Sequence, residues 1–198
     1  MIIWVNGAFG AGKTQTAHEL HRRIPNSFVY DPENAGYFIR KNIPAVMAKS
    51  DFQDHKVWRD TNYSMIKSIG EAYDGTLIIP MTIVEPLYFD EIVGRLRRDG
   101  MVIHHFALCA SRETLLKRLR SRGENERSWA AQQIDRCMEG LSKPVFERQL
   151  QTDHQSISEV AEAIAAALDI QLVPDERGRL RKQYDNIMTQ IRHIRLFH

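Results

Sequence analysis

The sequence predicts an α/β fold, a P-loop three-layer sandwich with a parallel five-stranded sheet, an arginine-rich lid and a C-terminal amphipathic helix. Three observations predict it. The apolar run Ile2-Ile3-Trp4-Val5 leads through Asn6 into Gly7-Ala8-Phe9-Gly10-Ala11-Gly12-Lys13-Thr14, the phosphate-binding Gly-x-x-x-x-Gly-Lys-Thr pattern set between a strand and a helix. Short apolar runs then alternate with helical stretches, the order that builds a parallel sheet covered on both faces. Arginines gather after the fourth apolar run, where they would close over a bound phosphate.

The elements follow in order. Strand 2–6 and helix 13–23 flank the P-loop, and Pro25-Asn26 ends the helix. Ser27-Phe28-Val29-Tyr30 is a second strand, stopped at Asp31-Pro32 because the residue before proline is pushed out of the helical region. Helices are expected around 33–41 and over 56–73, the latter ended by Asp74-Gly75. Thr76-Leu77-Ile78-Ile79-Pro80 is apolar throughout, as a strand buried on both faces must be. A helix from Pro86 to about 98 stops at Asp99-Gly100, and 101–108 is the fourth strand. Ser111 caps a helix that runs to Arg122-Gly123. After an exposed loop at 123–126, helix 128–141, a short strand near 150–152 and helix 156–168 complete the alternation.

A chain of 198 residues, 43% of them hydrophobic, can bury one sizeable core. The expected division is one kinase-like domain over 1–176, with its lid at about 120–140, and a helix over 177–198. The balance of 27 Lys and Arg against 25 Asp and Glu is too even for a surface that coats nucleic acid, so no nucleic-acid partner is expected. Cys109 and Cys137 lie outside any metal-ligand spacing and read as packing residues in a reduced, cytoplasmic setting. The first strand begins at residue 2, which leaves no room for a signal peptide. The longest apolar stretch, 77–84, contains Pro80 and is too short to span a bilayer.

The P-loop carries the strongest functional signal. Its glycines let successive N–H groups point inward at the positive end of the following helix, where an anion is stabilised. Gly7, Ala8, Phe9, Gly10, Ala11, Gly12, Lys13, Thr14 and Gln15 are the candidate nucleotide ligands, with ATP and Mg²⁺ as the expected cofactors. Lys13 would reach the β- and γ-phosphates and Thr14 would ligate Mg²⁺. Asp31 ends the second strand on the edge that faces the ligand crevice. There it is placed to accept a proton from an acceptor hydroxyl or to help hold Mg²⁺, although an Asp before proline is also a common turn former. Glu33 is a weaker substitute. The third strand closes on Pro80, Met81 and Thr82 with no Walker-B carboxylate, which leaves Mg²⁺ to Thr14, phosphate oxygens, water and Asp31, with Glu85 a minor candidate.

The run from Glu113 to Gly123 points Leu115, Leu116 and Leu119 at the core and sets Arg118 and Arg122 four apart on one face. Arg127 and Arg136 follow, and the four arginines form the expected lid set that stabilises transferred charge. Phe52, Gln53, Trp58 and Arg59 lie in the insertion between the second and third strands. An aromatic beside polar and cationic groups there suits a nucleoside-like or sugar-like acceptor, with Trp58 as a core residue the alternative. His104 and His105 point to opposite faces of their strand and read as structural.

Residues 177–198 carry Leu180, Tyr184, Ile187, Met188, Ile191, Ile194 and Phe197 at helical spacing. Arg177, Arg179, Arg181, Lys182, Arg192 and Arg195 stand against Asp185 alone. Such a basic amphipathic helix packs on its own domain, on a partner copy in a homodimer, or on an anionic membrane surface.

With these residues assembled, the chain resembles the bacterial tunicamycin-resistance protein family. The likeness is carried by 2–16 and by Tyr30-Asp31-Pro32-Glu33, Asp51-Phe52-Gln53, Trp58-Arg59, Pro80-Met81-Thr82-Ile83-Val84, 113–120 and 128–137. It implies ATP binding, protection against the nucleoside antibiotic tunicamycin and a peripheral contact with the inner face of the membrane. The wider likeness to small-molecule kinases implies that Arg118 and the loop at Thr152-Asp153 border the adenine. Two mechanisms remain open at this point. One is phosphotransfer to tunicamycin or a related nucleoside-sugar with Asp31 as base; the other is sequestration of the antibiotic without chemistry.

Overall fold

The computed structural model describes residues 1–178, 181, 182, 184, 185 and 187–189. The chain runs β1 (Ile2–Gly7), α1 (Lys13–Arg23), β2 (Ser27–Val29), α2 (Glu33–Asn42), α3 (Lys56–Ala72), β3 (Thr76–Pro80), α4 (Pro86–Phe89), α5 (Arg95–Arg98), β4 (Ile103–Cys109), α6 (Arg112–Arg120), α7 (Trp129–Gln132), α8 (Ile134–Leu141), β5 (Gln149–Gln151) and α9 (Ile157–Ala166). The five strands pair in parallel in the order β2-β3-β1-β4-β5. β1 and β3 are buried at every residue. Strand side chains alternate, so this burial means that both faces of the sheet are covered, as the expected three-layer sandwich requires.

Register sets the site. Val5 aligns with Pro80 on one side and Phe106 on the other, and Gly7 aligns with Leu108. The carboxyl ends of β1, β3 and β4 therefore finish side by side, and the P-loop opens there. α1 starts at that edge and packs along α9. α9 is fixed by a capping box in which the Ser156 hydroxyl accepts from Glu159 N–H and the Glu159 carboxylate accepts from Ser156 N–H, an arrangement that satisfies two otherwise orphaned donors.

Two helices differ from the sequence expectation. The stretch from Pro86 to Arg98 contains a π-helical turn over Asp90–Gly94. The second break comes at Gln133, whose N–H is shared between Trp129 and Ala130 carbonyls and which separates α7 from α8.

The segment after α9 returns along α1. Val173 N–H donates to Arg23 O, and Arg177 reaches the buried Glu19 carboxylate at 2.6 Å while also pairing with Asp175 and Asp185. These partners hold the Arg177 guanidinium firmly charged and the Asp175 carboxyl well below the usual range. Residues 181, 182, 184, 185 and 187–189 are helical. Tyr184 and Ile187 of the expected apolar stripe are exposed, while Leu180, Ile191, Ile194, Phe197, Arg179, Arg192 and Arg195 lie outside the described residues. Among the described residues, no helix is long and apolar enough to cross a membrane.

Candidate functional site

Asn6, the last polar residue before the loop, fixes where the P-loop begins. Its Oδ1 accepts from Gly7 N–H at 2.8 Å and from Ile83 N–H at 3.0 Å, and its Nδ2 donates to Ile83 O at 2.8 Å. The same Nδ2 lies 3.1 Å from His105 Nε2. An amide nitrogen only donates, so His105 Nε2 is the acceptor and Nδ1 carries the hydrogen toward Glu147 O. Burial lowers the His105 pKa to about 4, which keeps the ring neutral as this geometry requires. Thr82, where a Walker-B acid would stand, donates its hydroxyl to Gly7 O at 2.9 Å. The end of β3 thus holds the loop in place.

Gly12 precedes α1 in the left-handed region at φ 98°, and a Cβ there would meet Ile157 at 3.1 Å, so the tight turn into the helix requires glycine. Lys13 follows directly. Its ammonium donates to Ala8 O at 3.0 Å and stands 5.4 Å from the centre of the Phe9 ring. Burial is the main influence on it, and it brings the pKa down to about 8; Glu33, Cys137 and Asp31 act in the opposite direction and Arg122 in the same one. Lys13 therefore lies in the field of Asp31, Glu33, Arg122 and Cys137. A desolvated ammonium over a cradle of backbone donors fits a polyphosphate, whose charge would restore the cation. Thr14 and Gln15 occupy the first turn of α1, half-buried beside it.

Asp31 closes β2 and turns the chain into α2, its carboxylate accepting from Glu33 N–H at 3.0 Å. Both acids are half-buried. Trp58 holds this corner from behind, its indole N–H donating to Pro32 O at 3.0 Å. Trp58 is fully buried, so its alternative reading as a core residue holds and its placement on an acceptor surface is corrected. Arg59 is buried as well. It pairs with Glu91 of the π-helical turn, donates to Gln53 O and lies 4.3 Å from the centre of the Tyr88 ring, so it braces the insertion from inside. Phe52 packs over Gly36, where a Cβ would come within 2.6 Å of its ring, and beside Tyr37. Gln53 is buried, its backbone N–H donating to the Asp51 carboxylate at 3.0 Å.

The lid arginines differ in their contacts, although Arg122 lies in the field of Arg118. Arg122 is desolvated near Lys13, which lowers its pKa. Arg118 donates to both Thr152 Oγ1 and Thr152 O, while Asp153 accepts from Ser111 N–H, Ser111 Oγ and Thr114 Oγ1, which lowers its carboxyl to about 2. Arg118, Thr152 and Asp153 thus meet at the β5 edge. Arg136 pairs with Asp51 of the insertion at 3.3 Å. Arg127 is exposed on the loop between α6 and α7.

Residues 2–144 match the AAA domain family. The structure of the tunicamycin resistance protein of Deinococcus radiodurans is 32% identical over 88% of this chain and 99% of that one, with a TM-score of 0.75. The chain belongs to the tunicamycin-resistance protein family. A sugar kinase from Janibacter sp. HTCC2649, 19% identical over 85% of this chain and 94% of that one with a TM-score of 0.62, shares the fold. So does a gluconokinase from Sinorhizobium meliloti 1021, 17% identical over 84% and 90% with a TM-score of 0.61. No match was found among curated proteins. This member of the tunicamycin-resistance family is a nucleotide-binding P-loop protein with a kinase-like fold.

Residues that the pattern alone did not single out also shape the candidate site. Asn6 and Thr82 clamp the loop, and Asp51 orders both Gln53 and Arg136. Each is a single polar letter in an otherwise ordinary stretch. The signal that could have found Asn6 and Thr82 is their place at the ends of buried strands, where an unpaired polar side chain is costly.

Proposed function

We propose that the protein is an ATP-dependent phosphotransferase that acts on tunicamycin or a related nucleoside-sugar. The observation that carries this reading is the Lys13 ammonium held against the P-loop at 3.0 Å from Ala8 O, with Asp31 just beyond β2 at the sheet edge where that loop opens. Phosphoryl transfer needs a cation on the transferred group and a base near the attacking hydroxyl, and these residue types supply both. In the proposed reaction the acceptor oxygen bonds to the γ-phosphorus, the bond from that phosphorus to the β–γ bridging oxygen breaks, ADP leaves, and the hydroxyl proton passes to Asp31. Lys13 and Arg122 stabilise the spreading charge. Mg²⁺ would arrive with the nucleotide and be held by Thr14, phosphate oxygens and water, with the Asp31 carboxylate serving as the base. It would supply charge neutralisation to the phosphates. The Arg118–Thr152 contact supports the β5 edge as the adenine side.

A second reading, binding and sequestration of the antibiotic at the membrane without chemistry, is favoured by the end of β3. Thr82 is spent there on Gly7 O and no acid replaces it. We propose further that 1–176 is the kinase-like domain; the Arg177–Glu19 ion pair supports packing of the segment after α9 on it.

Asp31→Asn separates the two. It keeps the shape and the acceptor oxygen for Glu33 N–H but removes the base. The catalytic reading expects a fall of roughly 10²–10⁴ in the rate of phosphoryl transfer with nucleotide and antibiotic binding retained. Full protection of cells by the variant would instead support sequestration.

A further inference from the structure

Trp4 and Trp58 are fully buried, whereas Trp129, the remaining tryptophan, keeps 44% of its surface exposed. A large apolar ring left in water forgoes the favourable burial that usually decides where tryptophan sits. Its position is nevertheless fixed. Trp129 opens α7, where the Ser128 hydroxyl accepts from Ala131 N–H. Its ring meets that of Phe9 in the P-loop, with centroids 5.1 Å apart and planes inclined at 72°. A T-shaped pair covers at most one face of an indole, so a face of Trp129 is left beside Phe9. Phe9 in turn lies under the Lys13 ammonium. The exposed ring is therefore one aromatic contact away from the cation that binds phosphate.

The neighbours of α7 show which side of the phosphates this is. α8 follows directly, its Arg136 paired with Asp51 of the insertion and its Cys137 in the field of Lys13. The other side of the P-loop carries Arg118 against Thr152 at the β5 edge. α7 leads directly into α8, so Trp129 stands on the helix pair that Arg136 ties to the insertion.

We propose that Trp129, backed by Phe9, is the stacking platform for the planar base or the sugar ring of the acceptor. Either ring presents a face that packs on an indole. This inference rests on the acceptor reading given above, but it concerns binding and needs no chemistry.

The test is calorimetric titration of the full chain, as wild type, Trp129→Ala and Trp129→Tyr, with tunicamycin and separately with the Mg²⁺ complex of AMPPNP. Wild type is expected to bind both. Trp129→Ala should lose roughly 5- to 150-fold in tunicamycin affinity, as expected for one lost stacking contact, with AMPPNP affinity unchanged, and Trp129→Tyr should recover most of the loss. Tunicamycin should quench the tryptophan emission of wild type but not that of Trp129→Tyr, which retains only the two buried indoles. A loss confined to AMPPNP would make Trp129 an adenine platform and overturn the proposal. Equal losses for both ligands would make it a prop for the P-loop and overturn it too, as would no loss for either. If wild type binds tunicamycin with the expected Trp129 dependence yet transfers no phosphoryl group, the platform stands and the kinase reading fails. If wild type does not bind tunicamycin, both fail.

Discussion

Arg136 of α8 and Asp51 of the insertion form an ion pair of 3.3 Å that ties the segment after the lid loop to the wall of the candidate acceptor site. The guanidinium side chain is 42% exposed and the carboxylate 10% exposed. Asp51 also caps the short 3₁₀ turn Phe52–Asp54 through Gln53 N–H.

Asp51→Asn retains the capping oxygen and removes the charge. A partly solvated pair contributes within about 1 kcal/mol, so thermal unfolding should shift by no more than a few degrees. Antibiotic affinity should fall by about 5-fold as Arg136 loses its anchor, with nucleotide affinity unchanged. Titration of both ligands against the variant checks this, and a fall in nucleotide affinity instead would assign Arg136 to the phosphates.

Lys13 makes nucleotide binding depend on pH. Its pKa in the free protein is about 8, and bound phosphate raises it, so binding above pH 8 takes up a proton. Affinity should be flat from pH 6 to 7 and then fall by up to about tenfold per pH unit as the solution passes 8. Lys13→Ala should bind weakly at every pH with that dependence gone. A pH-independent affinity of the wild type up to pH 9.5 would remove Lys13 from the phosphate site.

His105 predicts acid sensitivity of the fold. Its pKa is about 4 in the folded chain against about 6.5 unfolded. The unfolded chain therefore binds the proton first, and stability that is complete above pH 6.5 is lost as pH falls toward 4, by about 3 kcal/mol in all. Protonation would also set an N–H of the ring against the Asn6 amide that holds Gly7 and Ile83. Unfolding followed between pH 7 and 4.5 should show this loss, and His105→Gln should show less of it.

Much of this molecule is legible in its sequence, for reasons that differ by element. The P-loop is legible because glycine, lysine and threonine at that spacing have one use between a strand and a helix, and Gly12 at φ 98° bears it out. The parallel five-stranded sheet follows from apolar runs such as 76–80 that only a doubly covered strand tolerates. The π-helical turn at Asp90–Gly94 is hidden because Phe89, Ile92, Val93 and Leu96 keep an apolar spacing that an ordinary helix would also give. Trp58 beside Arg59 has the composition of a binding surface, and only burial shows that both face inward. The lid arginines read as one set along the chain, but Arg118 is drawn to Thr152 and Arg136 to Asp51 by contacts between distant segments.

Mass spectrometry of tunicamycin after incubation with the protein, ATP and Mg²⁺ tests the central claim most directly. The account predicts that the antibiotic gains one phosphoryl group with stoichiometric release of ADP, and that Lys13→Ala and Asp31→Asn suppress the product. Antibiotic recovered at unchanged mass, while calorimetry shows it bound to the ATP-loaded protein, would contradict phosphotransfer and leave sequestration as the function.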